Sequence, residues 1–392
     1  MPRLVQQGRE CSRGVSRVFE VQPAAPAVLT IDLDAVVANW RRIAREVAPA
    51  SAAAVVKADA YGLGAAQVVP VLVAAGCQHF FVAHQSEAEK IRDLVPDDAL
   101  LAVLNGLHAG GEAAAAAMGI TPVLNSVGQA QRWQAQAERL GRVLPALLQV
   151  DTGMARHGLA PDEVLPLAQD EAFRRAVPLV AVMSHLACSD EPDHQANADQ
   201  AKAFAALAQG FPDVPRCFAN SGGALLGAAF HGDLVRPGLA LYGAEPADGR
   251  GEPFAPVVQL QARVVQTREI SAGTPVGYGH SWQAAKPTRL ATLSIGYADG
   301  FPRSLSNRGA AWARGHVLPI VGRVSMDVTV VDISALHAGA LAEGDLVEII
   351  GPHRSIEAVA QEAGTIAYEL LTQLGHRYQR VYKGGCISAV DR

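Results

Sequence analysis

Apolar positions along the chain fall into short runs at a repeating spacing. From Ala52 onward, apolar or β-rich runs stand at Ala52–Lys57, His79–Ala83, Ala99–Leu104, Ile120–Leu124, Pro145–Val150, Pro178–His185, Pro215–Asn220 and Asp233–Gly238. Helix-like stretches lie between most of them, such as Ser86–Leu94, Val127–Leu140 and Ala198–Ala208. Eight strands alternating with helices over about 190 residues predict an α/β architecture, a closed (β/α)8 barrel of the TIM type. An open doubly wound sheet is the alternative, but fewer strands would then be expected.

After Tyr242 the pattern changes. Ala244–Phe254, with two prolines, two glycines and three acidic residues, reads as a linker. Beyond it, strand signals dominate at Val257–Val265, Leu290–Ile295, Val317–Val324, Val328–Ile333 and Leu346–Ile350, followed by one helical piece, Ser355–Leu370. The expected division is a flexible arm over 1–26, a barrel over 27–247 and a second, mainly β domain over 248–392. Ala27–Leu33 alternates as a strand, with Asp34 as the expected cap of a helix over Ala35–Glu46. Pattern alone leaves open whether that strand joins the second domain's sheet.

Length and composition agree with two soluble domains. The chain has 392 residues, 49% of them hydrophobic and 18% charged, with a net charge of −5. That balance gives no electrostatic case for nucleic acid or an anionic membrane. The longest apolar candidate, Ala99 to Ile120, is broken by Asn105, His108 and Glu112, so no membrane span is expected. Residues 1–24 carry arginines but no apolar segment of the secretory type. The five cysteines, Cys11, Cys77, Cys188, Cys217 and Cys386, are scattered and match neither a metal site nor a redox pair. A reducing, cytoplasmic setting follows as the expectation.

The distinctive polar residues all fall at the carboxyl ends of the expected barrel strands, the face on which barrels carry their chemistry. Lys57 ends the first strand, and Tyr61 follows in its loop. Arg156 follows the fifth, in Asp151-Thr152-Gly153-Met154-Ala155-Arg156, and His185 ends the sixth. Ser221, followed by Gly222 and Gly223, ends the seventh, and Arg236-Pro237-Gly238-Leu239 ends the eighth. A lysine closing an apolar run is either an edge residue or a desolvated amine able to attack a carbonyl. Glycines opening a helix after Ser221 let backbone N–H groups approach an anion.

Val55-Val56-Lys57-Ala58-Asp59-Ala60-Tyr61-Gly62-Leu63-Gly64 strongly resembles the pyridoxal-phosphate attachment segment of bacterial alanine racemases. The resemblance extends through further motifs over most of residues 27–384. It implies a fold-type III pyridoxal 5'-phosphate enzyme, an isomerase that interconverts L- and D-alanine and supplies D-alanine for peptidoglycan. Lys57 would hold the cofactor and act as one base. Tyr61, Ser221, Gly238 and Leu239 would bind its phosphate. Arg236 would meet the pyridine nitrogen, with His185 hydrogen-bonded to it. Arg156 would contact the cofactor's phenolate oxygen and the substrate carboxylate, a pairing that suits a guanidinium fork.

The segment Val276-Gly277-Tyr278-Gly279-His280 resembles the one carrying the family's second base. Racemisation needs two groups on opposite faces of a planar carbon. Gly296-Tyr297-Ala298-Asp299-Gly300 would line the substrate path with Tyr297, and Ser325-Met326-Asp327 would set Met326 against the carboxylate. In the family these second-domain residues enter the partner's barrel, which implies a head-to-tail homodimer.

Three departures stand out. Gln149 occupies the place of a lysine that many members carbamylate, leaving a neutral amide to orient Arg156. His376, beside Arg377, stands in this reading where a tyrosine touches the phosphate. Ser325 replaces a frequent cysteine. Gln149 and His376 together raise a broad-specificity amino-acid racemase as the alternative. A related decarboxylase would carry cysteine in place of Tyr278, and a cofactor-carrier barrel would lack the second domain.

Overall fold

The computed structural model describes residues 22, 24–246 and 252–385. Most of the expected arm, together with Cys11 and Cys386, lies outside the described residues. Eight parallel strand positions close a barrel through Ser51–Ala52 with Ala54–Val55, His79–Val82, Leu100–Val103, Thr121–Leu124, Ala146–Gln149, Leu179–Met183, Arg216–Cys217 and Leu234–Val235. The first position is split at Ala53, and its halves face opposite neighbours. Ser51–Ala52 pairs with Leu234–Val235, and Ala54–Val55 pairs with Phe80–Phe81. One short strand therefore seals the ring. The strands are buried on both faces, as the unbroken apolar runs require.

The second domain is built on the 13-residue strand Val258–Ile270. It pairs with Leu346–Ile350 along one edge, and along the other with Ala27–Asp32 and then, through its later half, with Thr288–Leu293. Ala27–Asp32 in turn pairs in parallel with the last strand, Gln379–Lys383. The first and last strands of the described chain are thus neighbours in one sheet, and the barrel segment lies between them.

Two local differences from the sequence pattern have simple causes. The first helix runs Leu33–Glu46 and is capped by Asp32, whose carboxylate accepts from the Ala35 N–H at 3.0 Å, rather than by Asp34, which lies in its first turn. The expected single helix Ser355–Leu370 is two, Ile356–Ala363 and Ala367–Gln373. Gly364 ends the first of them in the left-handed region, at φ 74°.

Candidate active site

The barrel's carboxyl-end mouth holds a cavity of about 480 Å³ lined by Lys57, Tyr61, Arg156, His185, Ser221, Arg236, Gly238 and Leu239. Eight residues singled out from sequence thus converge on one space. Gln149, His157, Glu87 and Tyr368 line it as well.

Lys57 follows the first barrel strand and opens an unusual turn. Ala58, Asp59, Ala60 and Tyr61 all have positive φ, at 52°, 55°, 54° and 55°. A left-handed turn costs about 1–2 kcal/mol per L-residue, because Cβ crowds the following carbonyl. Contacts from the second domain hold it. Arg380 donates to the Gly62 carbonyl at 2.6 Å, and the Tyr382 hydroxyl donates to that of Leu63 at 2.9 Å. Ala58 is exposed, so Ala58→Gly removes steric cost without losing burial. We expect it to raise the thermal midpoint by about 1 °C, the relief outweighing glycine's larger unfolded-state entropy. A fall in the midpoint would show the turn to be unstrained.

Burial, with Arg156 and Arg236 beside it, lowers the Lys57 amine below its usual pKa, while Glu87 partly opposes that shift. Arg236 is buried and ties three barrel segments together. Its Nη1 donates to the carbonyl and Sγ of Cys217, and its Nη2 to the carbonyls of Ser184 and Phe218. Its Nη2 also lies 3.3 Å from His185 Nδ1. These bonds use only the two Nη nitrogens, so among the described residues the Nε–H has no partner.

Burial, then Arg236, Arg156 and Lys57, push His185 down to about 3. It is therefore neutral at ordinary pH and accepts from Arg236. Between pH 6.5 and about 3 the unfolded chain binds a proton here that the folded chain refuses. This part of the stability is complete above pH 6.5 and is lost as pH falls, by up to about 1.4 kcal/mol per unit. His185→Asn should therefore lose less in thermal midpoint between pH 6.5 and 4.5 than the parent chain. Equal losses would mean that the imidazole is accessible to protons.

Ser221 Oγ accepts from the N–H groups of Gly238 at 2.8 Å and Ala240 at 3.3 Å. Its own proton remains available to an anion in the cavity. Ser221 and Gly222 open a helix and Leu239 opens another, so their N–H groups have no intrahelical acceptor. A Cβ on Gly238 would sit 2.2 Å from the Tyr61 hydroxyl, so only glycine fits there. The Tyr61 ring lies 4.6 Å from that of Tyr242 and 6.1 Å from that of Tyr368. Burial holds the Tyr368 phenol up at about 12, and Tyr61 is raised too, so both are neutral hydrogen-bond donors.

Arg156 rides a loop organised by Asp151, whose Oδ1 accepts from the N–H groups of Gly153, Met154 and Ala155. The Gln149 amide nitrogen donates to the carbonyl of His157 at 3.5 Å, and among the described residues the amide makes no hydrogen bond to Arg156.

His376 does not belong to this cavity. It is exposed, and Tyr368 occupies the wall that the sequence reading gave to it. Gly364 is the overlooked signal: it breaks the helical stretch and puts Tyr368 in the first turn of a new helix.

The remaining three residues lie elsewhere on the same chain. Tyr278, Tyr297 and Met326 are exposed, at 71%, 43% and 52%, and line no part of the cavity. Arg377 fixes the two loops that carry Tyr297 and Met326. Its Nε and Nη2 meet both oxygens of Asp299 at 2.6 and 2.8 Å, and its Nη1 meets Asp327 at 2.7 Å.

Two family models match, "Alanine racemase, N-terminal domain" over residues 31–246 and "Alanine racemase, C-terminal domain" over 257–382. The catabolic alanine racemase of Agrobacterium fabrum is 53% identical over 354 residues, 90% of this chain and 91% of that one. The alanine racemase of Brucella ovis is 49% identical over 372 residues, 92% and 94% of the two chains. Among solved structures, the Bartonella henselae alanine racemase, with covalently bound pyridoxal phosphate, superposes with a TM-score of 0.89 at 44% identity, covering 91% of this chain and 99% of that one. Barrel, second domain and these matches lead to one conclusion: the chain belongs to the alanine racemase family.

Proposed function

We propose that this chain interconverts L-alanine and D-alanine with pyridoxal 5'-phosphate held covalently by Lys57. The observation that carries this reading is the desolvated lysine amine facing two arginines in a barrel mouth rich in unpaired donors. The cavity fits the cofactor on two counts. The Ser221 hydroxyl proton and the N–H groups opening two helices form an anion cradle beside Gly238 and Leu239. Tyr61 and Tyr368 add neutral hydroxyls to it. The unpartnered Nε–H of Arg236 offers a donor to a ring nitrogen.

When bound, the cofactor would supply a conjugated ring able to absorb the negative charge that develops at the substrate's α-carbon. Arg236 cannot surrender a proton, so a nitrogen facing it stays unprotonated, which weakens that sink and favours return of the proton to carbon. His185, kept neutral, holds Arg236 without adding charge. Arg156 pairs with the substrate carboxylate. Lys57 Nζ takes or returns the α-proton on one face, and Tyr278 Oη does so on the other.

Tyr278 lies outside the cavity of its own barrel, which supports a head-to-tail homodimer in which the partner subunit's Tyr278, Tyr297 and Met326 complete the site. Borohydride reduction of the chain with pyridoxal phosphate, followed by peptide mapping, tests the assignment. The expected result is one fixed modification at Lys57, and modification elsewhere would overturn it.

With Tyr368 in place of His376 on the cavity wall, only Gln149 still argues for broad specificity. We expect kcat/KM for alanine to exceed that for serine or lysine by at least about 10-fold. Ratios near unity would favour the broad-specificity reading.

The metabolic role we infer is cytoplasmic supply of D-alanine for peptidoglycan. Two relatives carry the name catabolic and favour the opposite direction of use. Growth of a deletion strain decides between them, since a need for added D-alanine marks the biosynthetic role. No helix among the described residues is long and apolar enough to cross a membrane.

A further inference from the structure

Four successive L-residues in the left-handed region, directly after Lys57, need a counterforce on the Lys57 side as well as from the second domain. Glu87 stands there. It is the third residue of the helix Gln85–Ile91, which follows the neighbouring barrel strand, and it lines the cavity with Lys57. Its Oε1 accepts from the Ala58 N–H at 2.6 Å. Its Oε2 accepts from the N–H groups of Ala83 at 2.8 Å and His84 at 3.1 Å. One carboxylate thus caps its own helix, closes the end of the second barrel strand and bolts down the first residue of the strained turn. Such reach exceeds that of an ordinary capping box, whose acid bonds back only to its own cap.

We propose that Glu87 is the positioning residue for Lys57, clamping the left-handed turn and setting a negative charge beside the amine opposite Arg156 and Arg236. This rests on the reading of Lys57 as the amine that carries the cofactor. The groups facing that amine are the cations Arg156 and Arg236, the neutral His185 and the carboxylate of Glu87. Burial and both arginines disfavour the ammonium form, and Glu87 acts against them. Removing its charge should leave the amine still harder to protonate.

Glu87→Gln tests this, since it keeps the shape and one acceptor but loses the charge. The readout is the pH dependence of Lys57 acetylation by trace acetic anhydride in the full chain without cofactor, followed by peptide mass spectrometry. The expected result is a midpoint lower by about 0.5–1 unit than in the parent chain. Ala58→Gly combined with Glu87→Gln should recover thermal stability, because glycine accepts the turn at no steric cost, yet keep the lowered midpoint. If Glu87→Gln does not fold alone, the double variant is read instead against Ala58→Gly.

A midpoint within about 0.2 unit of the parent overturns the proposal, even where the thermal midpoint falls, because capping alone would do no more. Failure of borohydride to fix pyridoxal phosphate at Lys57 of the parent chain would instead overturn the cofactor reading. The acetylation midpoint would still decide whether Glu87 governs the amine.

Discussion

Lys57→Ala should abolish racemisation, with kcat falling by at least about 10⁴-fold in both directions, while the fold survives intact. The two parts of this result have one origin. Nζ is desolvated and sits beside two guanidinium groups, so in the folded state it is an electrostatic burden rather than a support. Removing it leaves the barrel strand before it and the clamped turn after it unchanged, since the hydrogen bonds there run through the backbone of Ala58, Gly62 and Leu63. The thermal midpoint should stay level or rise. Activity is measured by chiral analysis of alanine, and cofactor capture by the absorbance band near ~420 nm expected of a lysine-bound pyridoxal group. Activity above about one per cent of the parent, or an undiminished band, would show that another amine does the work.

Tyr278→Phe carries the second large effect, a loss of about 10²–10⁴-fold in turnover with little change in stability. Within its own chain the hydroxyl belongs to a side chain that is 71% exposed, so the substitution leaves no buried group of that chain unsatisfied. The decisive form of the experiment mixes the two inactive variants. If the partner subunit's Tyr278 completes each barrel, random reassortment of Lys57→Ala and Tyr278→Phe chains makes half of the dimers hybrid. Each hybrid has one intact site of two, so about a quarter of the parent activity returns. Were Tyr278 to serve its own barrel, mixing would restore nothing.

Much of the site was legible because barrel strands are buried on both faces. Lys57, His185 and Arg236 interrupt continuous apolar runs, and a polar residue at the end of such a run has to face the barrel mouth. The left-handed turn could not be read that way. Ala58 to Tyr61 contains no glycine, and local preference argues against positive φ at all four positions. Contacts from Glu87, Arg380 and Tyr382 impose it, and those residues are distant in sequence. Tyr368 was missed for a related reason: its place on the cavity wall depends on a helix break at Gly364 that an apolar pattern alone reads straight through. Tyr278, Tyr297 and Met326 bear polar or flexible tips in loops among glycines and acids, so motif resemblance marked them where periodicity had nothing to say.

The seam between Ala27–Asp32 and Gln379–Lys383 also bears on how the chain is made. As the polypeptide leaves the ribosome, Val28, Leu29 and Ile31 emerge long before their parallel partners in Gln379–Lys383. The barrel can close in the interval, whereas this apolar strand waits with an open edge, which is the condition for pairing with a neighbouring nascent chain. Deleting Gln379–Lys383 would prolong that interval indefinitely, so such a variant should aggregate rather than yield a free barrel with a frayed strand.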